Sequence, residues 1–171
     1  MKRILIAGIG NIFLGDDAFG VEVVRELAQH ELPPEVRVKD FGIRGYDLAF
    51  ALTEAYDAAI LVDATPRGEI PGTAYLIEPD LTNLGQSEVS SVDGHSMDPV
   101  RILQMTESLG GRPARVYLVG CEPGEVDFEE GRMGLSDSVQ AAVPKAVEMI
   151  KSLVRNLLQQ ETNVKAGSVP A

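Results

Sequence analysis

Arg3-Ile4-Leu5-Ile6-Ala7-Gly8-Ile9-Gly10-Asn11-Ile12-Phe13-Leu14-Gly15-Asp16-Asp17 is the stretch that decides the fold of this chain. Residues 3–8 form a short continuous apolar run behind a basic start, the pattern of a central parallel strand covered on both faces. A glycine-rich turn follows. Residues 18–30 then place Val21, Val24, Leu27 and Ala28 at helical spacing. A buried strand that turns tightly into a helix is the opening unit of an α/β sheet. The turn is odd in one respect: it ends in two carboxylates and not in a basic residue.

The alternation continues along the chain. Residues 35–40 set Val36 and Val38 between charged neighbours, which suits a strand near a sheet edge, and residues 46–55 read as a helix. Residues 58–63 are a second fully buried strand. Residues 73–78, introduced by Pro71-Gly72 and ended by Pro79, are a further strand. Residues 98–109 form a helix closed by Gly110-Gly111, and residues 114–121 the last strand. Ser136 is a fair N-cap for a long helix with Val139, Val143, Val147, Ile150, Val154 and Leu157 on one face. Pro144 lies inside that pattern and is expected to kink the helix or to mark a short break.

The periodicity stops near Glu161, so residues 161–171 are expected to be a disordered tail behind a single domain over residues 1–160. The order β-α-β-α-β-β-α-β-α predicts a three-layer α/β/α domain around a mostly parallel sheet. Two successive strands at 58–63 and 73–78, with no helix between them, imply that one strand runs antiparallel.

Composition narrows the function classes. The chain has 171 residues, 44% hydrophobic and 24% charged, and 15 basic against 26 acidic side chains give a net charge of −11. Such a field repels phosphate backbones and argues against nucleic acid as a partner. No apolar run approaches the ~20 residues needed to cross a bilayer. The apolar stretch after Met1-Lys2-Arg3 breaks at Gly8 without a cleavage site, which marks a first strand and not a signal peptide. Cys121 is the single cysteine, excluding an internal disulfide and a thiolate metal cluster. A cytoplasmic protein with no membrane partner is the expectation.

Three side chains follow strands or their exit loops: Asp17, Asp63 and His95. Residues at strand exits gather along one edge of an α/β sheet, and two carboxylates with one imidazole are a plausible ligand set for a divalent metal. Each has a plainer reading beside it. Asp16 and Asp17 can cap the helix and complement its dipole; a division of labour would let Asp16 cap or orient while Asp17 binds. Asp63, directly after Ala59 to Val62, would be partly desolvated and in need of a cation or amide donors, or it begins a turn at Thr65-Pro66. His95 precedes a helix, where the imidazole stays neutral, or it is a solvated loop side chain. His30, near a helix end, complements the dipole. Cys121 packs as a small apolar residue, and no Gly-x-Ser-x-Gly elbow supplies a hydrolase serine.

Gly8-Ile9-Gly10 also invites a dinucleotide-binding reading, with Asp40 standing in for the ribose-binding acid. The fingerprint's third glycine is replaced by Phe13, and two carboxylates would repel the pyrophosphate from the helix start. That reading is the weaker one.

Taken together, Gly8-x-Gly10-Asn11-x-x-x-x-Asp16-Asp17-x-x-Gly20, Asp40-Phe41-Gly42-x-x-Gly45, Ile60-Leu61-Val62-Asp63-Ala64, Pro71-Gly72-Thr73, Gly94-His95 and Gly134-Leu135-Ser136 resemble the nickel–iron hydrogenase maturation endopeptidases over about residues 3–158. The resemblance implies a twisted five-stranded sheet between helices. It implies a cytoplasmic enzyme that trims the C-terminal extension of a hydrogenase large-subunit precursor after nickel insertion, with Asp17, Asp63 and His95 contacting the metal. Two departures stand out. The family often has Asp-Gly-Gly-Thr-x-Gly where this chain has Asp40-Phe41-Gly42-Ile43-Arg44-Gly45, and often a glutamate where this chain has Asp17, one methylene shorter.

The leading expectation is therefore a nickel-dependent endopeptidase, aspartic-type or metallo-type, whose nickel is carried by the substrate precursor or acts on the scissile carbonyl. Asp40 is a candidate for a role near the cut. The alternative from another class is a non-enzymatic nickel-binding or chaperone module with the same three ligands.

Overall fold

The computed structural model describes residues 2–83, 98–124 and 131–166. Its elements are β1 (Ile4–Ile9), a 3-10 turn (Gly15–Ala18), α1 (Phe19–Leu27), β2 (Val36–Gly42), α2 (Gly45–Leu52), β3 (Ala58–Ala64), β4 (Ala74–Ile77), α3 (Pro99–Ser108), β5 (Arg115–Cys121) and α4 (Asp137–Ala166). The five strands form one sheet in the order β2-β1-β3-β5-β4. The β1–β2, β1–β3 and β3–β5 pairs are parallel, and β4 joins β5 antiparallel at the edge, as the missing helix between β3 and β4 implied.

Alternate residues of the buried strands feed two cores. Ile4, Ile6, Ile60 and Val62 pack with α1 and α4 on one face; Leu5, Ala7, Ala59 and Leu61 pack with α2 and α3 on the other. The sheet is thus the middle of three layers. β1 and β3 are covered on both sides, which is why they read as unbroken apolar runs.

The chain leaves β1 for β2 on one side, then returns for β3 on the other. At such a switch point the crossovers diverge and open a crevice beyond the carboxyl ends of the two strands. The helix that borders this crevice sits very close to the sheet. A Cβ added at Gly20 would overlap the carbonyl oxygens of both Ile9 and Val62. Gly10, with φ of +152°, has its Cα against the carbonyl of Asp17. The glycines of the turn serve backbone approach between the start of α1 and two strand ends, a role that needs no phosphate.

Several local expectations shift. Both acids of the turn fall in the 3-10 turn, ahead of α1. β2 runs on to Gly42, so Asp40 lies within the strand and not at its end. α4 runs unbroken through Pro144. Pro144 is exposed, while Val143, Ala146, Val147 and Ile150 beside it are buried in the core. That apolar stripe keeps the helix continuous where the ring removes one backbone hydrogen bond. The helical backbone continues to Ala166, beyond the expected start of a tail at residue 161; residues 167–171 fall outside the described residues. No helix among the described residues is long and apolar enough to cross a membrane.

Because the joint at Gly20 is backbone against backbone, nothing can rotate away from an added methyl group. Gly20→Ala is expected to lower stability by about 3 kcal/mol and Tm by roughly 6–12 °C. Thermal unfolding followed by circular dichroism checks this, and an unchanged Tm would show that the joint has slack.

Candidate active site

Asp63 is the penultimate residue of β3, opposite Gly120 of β5 and one step beyond Val62, which pairs with Gly8. It is 5% exposed. Burial, and then the charge of Asp17, hold its carboxyl well above the usual carboxylate range; Asp98 adds to that push, and the Ala64 amide opposes it. Asp17 is half-buried across the crevice. Desolvation raises its pKa as well, partly countered by the amide of Asn11, which donates to Oδ2 at 2.9 Å. Two partly or fully buried carboxylates thus share the switch point, and the charge of Asp17 opposes the ionisation of Asp63. A divalent cation or a retained proton relieves that conflict.

Asp16 has a different environment, although it is the adjacent residue. Its Oδ1 accepts from the Ser136 amide at 2.7 Å, and its Oδ2 from the Gly124 amide at 2.9 Å and the Ser136 hydroxyl at 2.8 Å. It does not cap the helix that follows it, where no side-chain cap bond is formed. The expectation that it caps α1 is thus replaced by a tie across the fold. Asp16 holds Ser136, just ahead of α4, and the chain after β5, because the 3-10 turn points its carboxyl inward, where amide donors wait.

Asp40 stands on the β2 side of the same sheet edge. Its Oδ1 accepts from the Gly42 amide at 2.8 Å, and Oδ2 lies 3.8 Å from the Arg25 guanidinium. It lines a cavity of about 350 Å³ with Asn11, Phe13, Arg25, Ile43 and Arg44. Asn11 links the two places, since its backbone serves Asp17 while the residue borders the cavity. Arg44 curls back over the turn, donating to the carbonyls of Asp40 at 2.6 Å and Phe41 at 3.2 Å.

His95 lies outside the described residues. The structure thus brings Asp17 and Asp63 together, sets Asp40 beside a neighbouring cavity, and does not describe the third ligand expected from the sequence. Among the described residues no group of three or more His, Cys, Asp and Glu side chains could hold a metal ion. Asp17 and Asp63 fit a divalent cation in charge and donor type, as two hard oxygen ligands with insufficient partners of their own.

Cys121 is no competitor as a nucleophile. It is fully buried, and that burial pushes its thiol up to about 11. His30 sits between Glu26 at 3.5 Å and Lys151 at 3.1 Å.

Two acids near the site escaped the sequence reading. Asp98 caps α3 by accepting from the Val100 amide at 2.9 Å, yet its charge reaches Asp63. An aspartate before a proline reads as a helix start, and nothing local betrays a second role. Glu122, 7% exposed, directly follows the apolar run of β5. That is the same signal that singled out Asp63, and it was available.

Comparison with known proteins bears on this geometry. The family model described as hydrogenase maturation protease matches residues 21–153. The chain is 30% identical over 156 residues to the hydrogenase 2 maturation protease of Escherichia coli, covering 90% of this chain and 91% of that protein. It is 32% identical over 156 residues to the hydrogenase expression/formation protein HupD of Rhodobacter capsulatus, covering 88% and 72% respectively. The solved hydrogenase maturating endopeptidase HybD of E. coli superposes with a TM-score of 0.77 at 29% identity, covering 91% of this chain and 93% of that one.

The buried carboxyl of Asp63 has a stability consequence. The folded protein holds this proton more tightly than the unfolded chain, so metal-free wild type loses stability as pH rises above 3.8. Asp63→Asn, which removes the charge, is expected to raise Tm at about pH 8. The gain should shrink as pH falls towards 3.8, the ordinary value of the group. Melting curves across pH measure it; a gain independent of pH would show that the charge is not its source.

Proposed function

Since this chain belongs to the hydrogenase maturation protease family, a family of hydrolases, we propose that it removes the C-terminal extension of a nickel–iron hydrogenase large-subunit precursor once nickel is in place. The observation that carries the reading is the Asp17–Asp63 pair at the switch point, both held above the usual carboxylate range by burial. Such a pair binds poorly to a neutral peptide and well to one that arrives with a divalent cation. In this reading the nickel is part of the substrate.

Asp17 and Asp63, with His95, contact the nickel-bearing end of the precursor and thereby fix the scissile bond at the crevice. A carboxylate oxygen of the pair that the cation does not engage takes a proton from the attacking water and returns it to the leaving amine. Water then adds across the peptide C–N bond. The cavity beside Asp40 is of a size to receive the segment next to the cut, with Phe13 and Ile43 as exposed apolar walls, and Asp40 assists there. The single cysteine and the absence of any disulfide suit work in the cytoplasm.

Incubation with nickel-loaded and nickel-free precursor tests this reading, with cleavage read by the mass of the large subunit. Trimming of the loaded form alone is the expected result. Binding without cleavage would favour a nickel-binding chaperone module and overturn the endopeptidase assignment. Asp17→Asn and His95→Ala are each expected to abolish processing while the circular dichroism spectrum stays that of the wild type. Near-normal processing by both variants would remove the metal-contact assignment.

A further inference from the structure

Asp63 owes its place to the chain that follows it, and that chain has a difficulty to solve. The β3–β5 ladder closes with the Thr65 amide donating to the Cys121 carbonyl at 3.0 Å. The next residue is Pro66, which has no amide hydrogen, so the ladder cannot continue in the ordinary way. The Arg67 amide donates at 2.6 Å to Oε2 of Glu122, and a side chain thus takes over where the backbone ladder stops. Glu122 is itself fixed on its other side. Its amide donates to the Thr73 carbonyl at 2.9 Å and its carbonyl accepts from the Gly72 amide at 2.8 Å.

Tyr75 grips the same segment from β4. Its ring lies over Gly120, the register partner of Asp63, where a Cβ would collide with it. Its hydroxyl donates to the Thr65 carbonyl at 2.9 Å, and the Arg67 guanidinium lies over its face at 4.8 Å. Residues 64–67 are thereby held at the Thr65 carbonyl and the Arg67 amide by two side chains outside β3.

We propose that Glu122, together with Tyr75, is a positioning residue for Asp63: acceptor and donor fix residues 64–67, and so the direction in which the Asp63 carboxyl meets Asp17. Neither side chain is required to touch the substrate. The proposal rests on the endopeptidase reading for its effect on turnover, but its structural half stands apart from that reading.

The experiment combines precursor processing with amide hydrogen exchange on wild type, Glu122→Ala, Glu122→Gln and Tyr75→Phe. Glu122→Ala is expected to lower kcat about tenfold or more with KM within about twofold, as loss of an outer support of a ligand does. Glu122→Gln, whose amide oxygen still accepts from Arg67, is expected to restore kcat to near wild type. Tyr75→Phe keeps the ring and removes one hydrogen bond, for a fall in kcat of roughly fivefold. In exchange, the Arg67 amide should lose protection in Glu122→Ala and keep it in Glu122→Gln.

Unchanged kcat in both Glu122→Ala and Tyr75→Phe would overturn the proposal. Equal impairment of the alanine and glutamine variants, or a defect confined to KM, would overturn it as well. Undiminished Arg67 protection in Glu122→Ala would do so on structural grounds alone. Wild-type protein that leaves loaded precursor uncut would instead sink the endopeptidase reading, and the exchange result would then decide whether Glu122 fixes the segment.

Discussion

The approach of α1 to the carboxyl ends of β1 and β3 is the constraint on which the rest of the structure depends. At Gly20 the helix backbone lies against the carbonyls of Ile9 and Val62, with no side chain between them. That closeness sets how far Asp17 can be from Asp63, because the 3-10 turn carrying Asp17 leads straight into the helix. A side chain at Gly20 would lift the turn away from the strand ends and widen the crevice. The short aspartate at position 17 is consistent with a helix that already stands near the sheet.

Around this joint the same residue type takes three roles, set by the donors within reach. Asp16 has two amides and a hydroxyl and acts as a tie between the turn, the chain after β5 and the start of α4. Asp40 has one amide and a distant guanidinium at the wall of a cavity. Asp17 and Asp63 have one amide each and are both desolvated, and the charge of Asp17 reaches Asp63. Carboxylates that are fully satisfied hold a fold together, whereas those left short of partners store a demand for a cation. That contrast separates the tied acid of the turn from the one left short of partners, although they are neighbours in sequence.

The fold was largely legible. β1 and β3 are strongly apolar because both of their faces are covered, and the long apolar stripe on α4 dominates its periodicity. Where local rules failed, tertiary packing had outweighed them. Pro144 would break an isolated helix, yet the buried stripe around it keeps α4 continuous. Asp16 obeys every rule for capping the helix after it, but better donors lie more than a hundred residues away. Glu122 carried the same sequence signal as Asp63, an acid directly after an apolar strand, and its role became visible only with its partners at Arg67, Thr73 and Gly72.

The sequence by itself determined the α/β alternation, the antiparallel edge strand, the acidic ending of the glycine turn that argues against phosphate, and the family to which these motifs pointed. Those depend on period, glycine placement and charge, all of which are local. Only the tertiary structure decided that Asp17 and Asp63 share a crevice, that Asp16 braces the far end of the chain, and that Glu122 carries the sheet's bonding past Pro66. Those depend on which donors and carbonyls arrive from distant segments, and no local pattern encodes the partner that packing will supply.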